Sequence, residues 1–323
     1  MNRKNNPRVD RPLGTMKILA TASELPPGPR KMCAAIGVFD GVHLGHQQVI
    51  RQTLADARQH EALALVITFD CHPNSVVAPD RAPPMIYSLP QRLRALAALG
   101  VDTTLLIHFD QAFSAQTGES FVRGLARDFG RIHSICVGSE FTFGHKRSGN
   151  VALLRGLGRE LKFTVHGLAA VALDGEMVSS TRIREAIRAG DLDTASQMLG
   201  RAYALAGPVV RGDQLGRTLG CPTANIDPTG LVLPPAGVYA AHATVHGQQW
   251  QAAVNIGGRP TLGRSAAGLR LEAHLLDFTG DIYGAEMEIS FVEKLRDEQR
   301  FPSLSELKAQ IHRDLAAARE LFV

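Results

Sequence analysis

"CAAIGVFDGVHLGHQQVIRQ", residues 33–52, decides the fold class of the amino-terminal half. AAIGVF reads as a buried β-strand, DGVHLG as a turn, and HQQVIRQTLADARQH as the start of a helix. His43 and His46 then lie at the carboxyl end of a strand, where open parallel sheets bind their ligands. The rhythm repeats outward. LALVITF (63–69), TTLLIHF (103–109) and SICVG (134–138) alternate with helical stretches such as SLPQRLRALAALG (88–100), with Ser88 placed to cap its start and Gly100 its end. Strands alternating with helices imply βαβ units and a parallel, Rossmann-like sheet.

After SSTRIREAIRAGDLDTASQMLGR (179–201) the pattern changes. YALAGPVV (203–210), GVYAAHATVHG (237–247), QWQAAVNIGG (249–258), LRLEAHLLDF (269–278) and AEMEISFVEKL (285–295) are strand-like runs punctuated by Gly and Pro, which predict an antiparallel sheet or barrel. A closing helix follows. Ser303 and Glu306 have capping-box spacing, and Leu304, Leu307, Ile311 and Leu315 mark one face. The boundary falls near 190–202, dividing the chain into residues 16–195 and 196–323, with no internal repeat or low-complexity tract. Residues 1–15 read as a disordered extension, with Met16 a possible functional start.

The chain has 323 residues, 45% hydrophobic and 20% charged, the profile of a soluble globular protein of about two domains. A net charge of +4 suits anionic ligands, and without a Lys/Arg block interleaved with aromatics nucleic acid is a weak candidate. Four scattered cysteines with no CxxC pair fit reduced thiols. No secretion signal or membrane span is read, so a cytoplasmic location is expected. Oligomeric state stays open, with a weak homo-oligomer compatible.

At a helix N-terminus, unpaired N–H groups and the dipole favour an anion. Gly45 leaves room for a phosphate near the backbone, and His43 and His46, three residues apart, can both donate to it. Two packed histidines are the plainer reading of such spacing, and a metal site with Asp40 as third ligand is the sharper rival, but no HExxH helix or wider acidic cluster supports it. In SSTRIREAI, Ser180 and Thr181 are placed to cap a helix, with Arg184 one turn on.

In GRTLGCPTAN (216–225), Gly216 and Gly220 allow close phosphate approach, and Thr223 and Asn225 place two oxygen-bearing side chains on one side of an extended segment, suited to a hard cation beside phosphate. A turn leading into a strand is the plainer reading. In LRLEAHLLDF, Leu269, Leu271, Ala273 and Leu275 share one face, leaving Arg270, Glu272 and His274 on the other. Glu272 is thereby kept off the core and available as a general base, though a solvated strand glutamate looks the same.

HxGH followed by ST-x-x-R resembles the nucleotidylyltransferase superfamily. GVFDGVHLGHQ, TFDCHP, FSAQTGESFV, VGSEFTFGHKRSGN and VSSTRIR, in that order, resemble the prokaryotic bifunctional riboflavin kinase/FAD synthetase family (FMN adenylyltransferase). LGRAYALAGPVVRGDQLGRTLGCPTANI, GVYAAHA, VNIGGRPT, LEAHLLDFTGDIYG and FVEKLRDEQRFPSLSELKAQIHRD resemble its flavokinase module, from about Met16 to the end. The resemblance implies a nucleotidylyltransferase domain followed by a riboflavin kinase barrel. The substrates and products it implies are ATP, riboflavin, FMN and FAD, with Mg²⁺ as cofactor.

It further implies phosphate work for His43, His46 and Arg184, with nucleotide contacts at Gly37, Phe39, Asp40, Gly45, Ser180, Thr181, Gly216 and Gly220. Flavin contacts fall to Asn74 and Arg296, the metal to Thr223 and Asn225, and proton acceptance to Glu272. Phe69, Phe141 and Phe143 can pack on a flavin ring, although strand-end aromatics more often serve the core. The chain departs from the family at Cys71 (often proline), Glu140 (usually aspartate) and Cys221 (usually phenylalanine). A flavin-binding or flavin-sensing protein without turnover is the alternative from another class.

Overall fold

The computed structural model describes residues 16–25, 31–212, 216, 220–258 and 270–322. The expected extension at 1–15 lies outside them, as do 217–219 of the GRTLGCPTAN loop and Leu269. The chain forms two compact units: Met1–Pro83 with Leu89–Met177, and Pro84–Ser88 with Val178–Val323.

The first unit contains β1 (Lys17–Leu19), β2 (Lys31–Ile36), α1 (Leu44–Gln59), β3 (Leu63–Phe69), α2 (Asn74–Val77), α3 (Leu89–Ala98), β4 (Thr103–Ile107), α4 (Gln111–Ser114), α5 (Gly118–Phe129) and β5 (Arg131–Gly138). It continues with the ribbon of β6 (Thr142–Phe143) and β7 (Gly149–Asn150), then α6 (Val151–Leu161) and β8 (Thr164–Leu168), and a second ribbon of β9 (Ala172–Leu173) and β10 (Glu176–Met177). A parallel sheet runs β1-β4-β3-β2-β5-β8. Strand order reverses at β2, whose neighbours are β3 and β5, so the HxGH turn leaves the sheet at its switch point.

Both sheet faces are covered. Ala34, Ile36, Leu65, Ile67 and Ile135 pack with Phe121, Val122 and Leu154 of α5 and α6 on one side. Ala35, Val66 and Cys136 pack with Val49, Ile50, Leu54 and Leu96 of α1 and α3 on the other. This two-sided burial explains why the strands read as continuous apolar runs. β1 and β8 were not anticipated. β1 buries only Leu19 of its three residues, and β8 buries none of its five fully, so neither carries a clear periodic signal.

In the second unit, α7 (Ser180–Ala189) and α8 (Leu192–Leu199) precede a closed barrel. Its strands are β11 (Ala204–Val210), β12 (Ala224–Ile226), β13 (Gly237–Val245), β14 (Gln248–Gly257), β15 (Arg270–Leu275) and β16 (Glu286–Arg296), ordered β11-β12-β15-β14-β13-β16 and antiparallel throughout. Closure leaves no strand edge unpaired, which a six-stranded open sheet would not achieve. Tyr203, Tyr239 and Phe291 are buried and in ring contact.

α9 (Leu304–Glu320) lies on the barrel exterior, where Ala240, Ala253 and Ala318 bring backbones close together. Ser303 caps it, accepting the Glu306 N–H at 3.2 Å. The expected apolar face holds for Leu307, Ile311 and Leu315, which are half-buried, but Leu304 is 62% exposed. Leu304 occupies the first helical position, and the most buried α9 residues are Asp314 and Ala318.

Candidate functional sites

At the switch point, Phe39, Gly41 and Val42 all adopt positive φ, folding Asp40–Val42 into a single tight turn. α1 starts at Leu44, two residues earlier than expected, because His43 is its N-cap and accepts the His46 N–H on Nδ1 at 3.4 Å. His43 therefore has Nδ1 as acceptor and Nε2 as its N–H donor. The two imidazoles stack at 3.6 Å between centroids, 22° from parallel, and Phe39 meets His46 edge-on at 5.3 Å.

The His43 ring fills the space above Gly45, where an added Cβ would lie 3.3 Å from Cε1. A side chain at position 45 would press on the imidazole, so Gly45 makes room for His43. Gly37 is similar, since a Cβ there would lie 3.1 Å from the Phe39 ring. Phe39 is 2% exposed and belongs to the core, so only its main chain is placed to meet a nucleotide. Asp40 is also buried.

Arg92 of α3, which the sequence reading did not single out, bonds the main chain at Val38, next to the HxGH turn. It is fully buried, donating from Nη1 to the Val38 carbonyl at 2.8 Å and from Nη2 to the Phe69 carbonyl. Burial pushes its guanidinium down from the ordinary range, while the charges of Asp40 and Asp70 oppose that shift. Arg92 thus joins the carboxyl ends of β2 and β3 beneath the HxGH turn and places fixed positive charge there. An arginine one turn before Leu96 on the apolar stripe was the available signal.

Asn74 sits at the start of α2, with its side chain 3.5 Å from the Arg81 carbonyl. Cys71 Sγ faces the Phe109 carbonyl at 3.7 Å, and Glu140 is exposed. Phe69, Phe141 and Phe143 are packed against the core, with Phe141 and Phe143 stacked at 5.2 Å.

Ser180, Thr181 and Arg184 lie in the second compact unit, on α7. Ser179, rather than Ser180 or Thr181, caps this helix: its backbone is extended and its hydroxyl accepts the Arg182 N–H at 3.2 Å. Ser180 and Thr181 occupy the first turn, where the helix dipole favours an anion. Arg184 is buried and donates from Nε to the Pro84 carbonyl at 2.7 Å.

The barrel carries the second constellation. Cross-strand partners form a row of Val210, Asn225, Glu272, Asn255, Val238 and Arg296. Leu271, Ala273 and Leu275 are buried and Arg270, Glu272 and His274 half-buried, so Glu272 projects from the outer barrel face between Asn225 and Asn255. Asn255 was not singled out in the sequence, because only register brings it opposite Glu272. Arg270 lies 3.9 Å from the Glu272 carboxylate. His274 Nδ1 contacts the Pro222 carbonyl at 2.8 Å, tying β15 to the PTAN segment.

Glycine main chain packs against the proposed metal ligands. An added Cβ at Gly212 would fall 2.7 Å from Asn225 Oδ1, and one at Gly216 would fall 3.3 Å from Thr223 Oγ1. Such a Cβ at Gly216 would also lie 2.4 Å from the Cys221 carbonyl, so glycine is required at 216. Gly220 takes φ +83. Two neutral oxygens beside a glycine cradle fit a hard cation that takes its other ligands from phosphates and water. Among the described residues no group of three or more His, Cys, Asp or Glu converges on a metal-sized point, His43, His46 and Asp40 included.

Arg296 is held in place by a carboxylate. Its Nε and Nη2 bond the two oxygens of buried Asp314 at 2.9 and 2.7 Å, and its guanidinium carbon lies 5.7 Å from the Phe301 ring centre.

A parallel sheet with a histidine pair at its switch point, followed by a closed barrel with a glutamate between two asparagines, defines a two-module nucleotide-dependent transferase class. The FAD synthetase family model matches residues 26–182 and the riboflavin kinase model residues 199–322. The Escherichia coli K12 bifunctional riboflavin kinase/FMN adenylyltransferase is 39% identical over 95% of this chain and 98% of its own length. The Pseudomonas fluorescens protein of that name is 38% identical over the same shares. A crystal structure of a macrolide-efflux protein from Streptococcus pneumoniae matches with TM-score 0.78 and 27% identity, covering 94% of this chain and 99% of that one. Among the described residues no helix is long and apolar enough to cross a membrane. The chain belongs to the bifunctional riboflavin kinase/FMN adenylyltransferase family.

Proposed function

We propose that this enzyme converts riboflavin to FMN on its barrel and FMN to FAD at the HxGH turn, consuming one ATP in each step. The observation that carries this reading is that each family match falls on a region with its own polar constellation, Glu272 between two asparagines in one and the stacked histidines in the other.

In the first step the ribityl hydroxyl oxygen bonds to the ATP γ-phosphorus, its proton passes to the Glu272 carboxylate, and ADP leaves. Thr223 and Asn225 would hold Mg²⁺, which neutralises phosphate charge when bound. In the second step an FMN phosphate oxygen bonds to the ATP α-phosphorus and pyrophosphate leaves. That nucleophile is already ionised, so the site's task is to screen anion from anion. His43 Nε2–H, His46, Arg184 and the N-termini of α1 and α7 supply donors for it, with Arg92 contributing fixed charge. Asn74 and Arg296 take flavin contacts. The functional division lies at 195/196, and the enzyme acts on small molecules in the cytoplasm.

Product analysis with riboflavin, ATP and Mg²⁺ tests this. Wild type should make FAD, His46→Ala should accumulate FMN, and Glu272→Ala should make little product from riboflavin yet FAD from supplied FMN. Tight flavin binding with release of neither ADP nor pyrophosphate would refute it.

A further inference from the structure

Five residues of the first half, Pro84–Ser88, belong to the same compact unit as the barrel. They form a strap with several anchors. The Met85 N–H donates to the Gly230 carbonyl at 2.7 Å, and the Met85 carbonyl accepts the Val232 N–H at 2.9 Å, a parallel bridge opposite Leu231. Ile86 is fully buried and Tyr87 is 2% exposed. Arg201 donates from Nε to the Tyr87 hydroxyl at 3.0 Å, lies 5.1 Å from its ring centre, and ties back to the Leu199 carbonyl at 3.0 Å. The Val232 carbonyl accepts the Tyr203 hydroxyl at 2.8 Å, and Tyr203 stacks on Phe291 of β16.

The strap's first residue bears the carbonyl that receives Arg184 Nε at 2.7 Å. A continuous set of hydrogen bonds and packed rings therefore leads from the barrel core through Val232 and Met85 to the Arg184 guanidinium. A long arginine side chain loses considerable rotamer entropy when held in one geometry. A half-buried main-chain acceptor on a pinned strap supplies that geometry before ATP arrives.

We infer that the Pro84–Ser88 strap, clamped by Tyr87 and Arg201, positions Arg184 for adenylyl transfer. This rests on reading Arg184 as an ATP phosphate clamp. Tyr87 and Arg201 are positioning residues, acting through Arg184 without touching substrate.

The test uses the full chain and follows the two steps separately: adenylyl transfer from supplied FMN and ATP, phosphorylation from riboflavin and ATP. Tyr87→Phe keeps the ring and removes the hydroxyl that receives Arg201. It should lower kcat/KM for ATP in adenylyl transfer about tenfold, mainly through KM, with phosphorylation within about twofold of wild type. Arg201→Gln should behave alike and Arg201→Lys should recover part of the loss. In an Arg184→Ala background, Tyr87→Phe should add nothing further, the non-additivity expected of one residue acting through another. Full additivity of the two losses, or unchanged adenylyl kinetics in both Tyr87→Phe and Arg201→Gln, would overturn the strap proposal while leaving the clamp reading intact. Adenylyl transfer that is unaffected by Arg184→Ala alone would overturn the clamp reading and the strap proposal with it.

Discussion

His43 shows how much one side chain can be asked to do. It caps α1, fills the space over Gly45 and stacks on His46, so its replacement disturbs helix start and ligand site together. Residue-scale predictions are cleaner elsewhere. His108 Nδ1 lies 2.5 Å from Asp70 Oδ2, and that carboxylate raises the His108 pKa above its ordinary 6.5. For Asp70, burial works to raise the pKa, but the Phe109 N–H and His108 outweigh it and the value falls below 3.8. The histidine's contribution to stability is full below about pH 6.5 and fades as pH rises through its raised value. The aspartate's is full above about pH 4 and fades as pH falls through its lowered value. The melting temperature of His108→Gln should therefore trail wild type most near pH 5 and converge with it as pH rises through the raised His108 pKa.

The cysteines give a second residue-scale test. Burial raises the Cys33 thiol and pushes Cys136 up to about 12, and Cys221 is 4% exposed. Thiol-reagent titration of native protein should count one fast group, Cys71, and four after denaturation.

At the scale of elements, the helices α1 and α7 each have an anchor, α7 at its start and α1 at its far end. Ser179→Ala should destabilise α7 by about 1 kcal/mol, measured by denaturant unfolding, and weaken adenylyl transfer more than phosphorylation. α1 is fastened at its far end by Asp56, which accepts the Ser134 hydroxyl at 2.7 Å and lies 3.1 Å from His166 Nε2. Asp56→Ala leaves Ser134 buried without that acceptor and should cost about 2 kcal/mol in the same unfolding experiment. Just before β12, Thr223→Ala should raise the Mg²⁺ concentration required for riboflavin phosphorylation several-fold and leave that for adenylyl transfer unchanged.

For the whole molecule, two chemistries in one chain make a stoichiometric prediction. Starting from riboflavin, each FAD should be accompanied by one ADP and one pyrophosphate; starting from FMN, by pyrophosphate alone. An ADP signal in the second assay would mean that the steps are not divided as proposed. A second whole-molecule consequence follows from Pro84–Ser88, which joins the barrel unit although it precedes α3 in the chain. A boundary drawn from the change of rhythm alone, near residues 190–202, passes over that excursion.

The sequence by itself determined the two fold classes, because apolar runs alternating with helices and later runs broken by Gly and Pro are local properties of the chain. It also located HxGH on a strand–turn–helix and Glu272 off the core face, since both follow from spacing along one element. Tertiary structure decided what needs partners distant in sequence. Strand register set Asn225 and Asn255 on either side of Glu272, and the carbonyls of Val38 and Phe69 captured Arg92. Asp314 captured Arg296, and the Pro84 carbonyl captured Arg184. Local periodicity records which side of an element is buried, whereas a hydrogen bond across a hundred residues exists only once the intervening chain has closed upon itself.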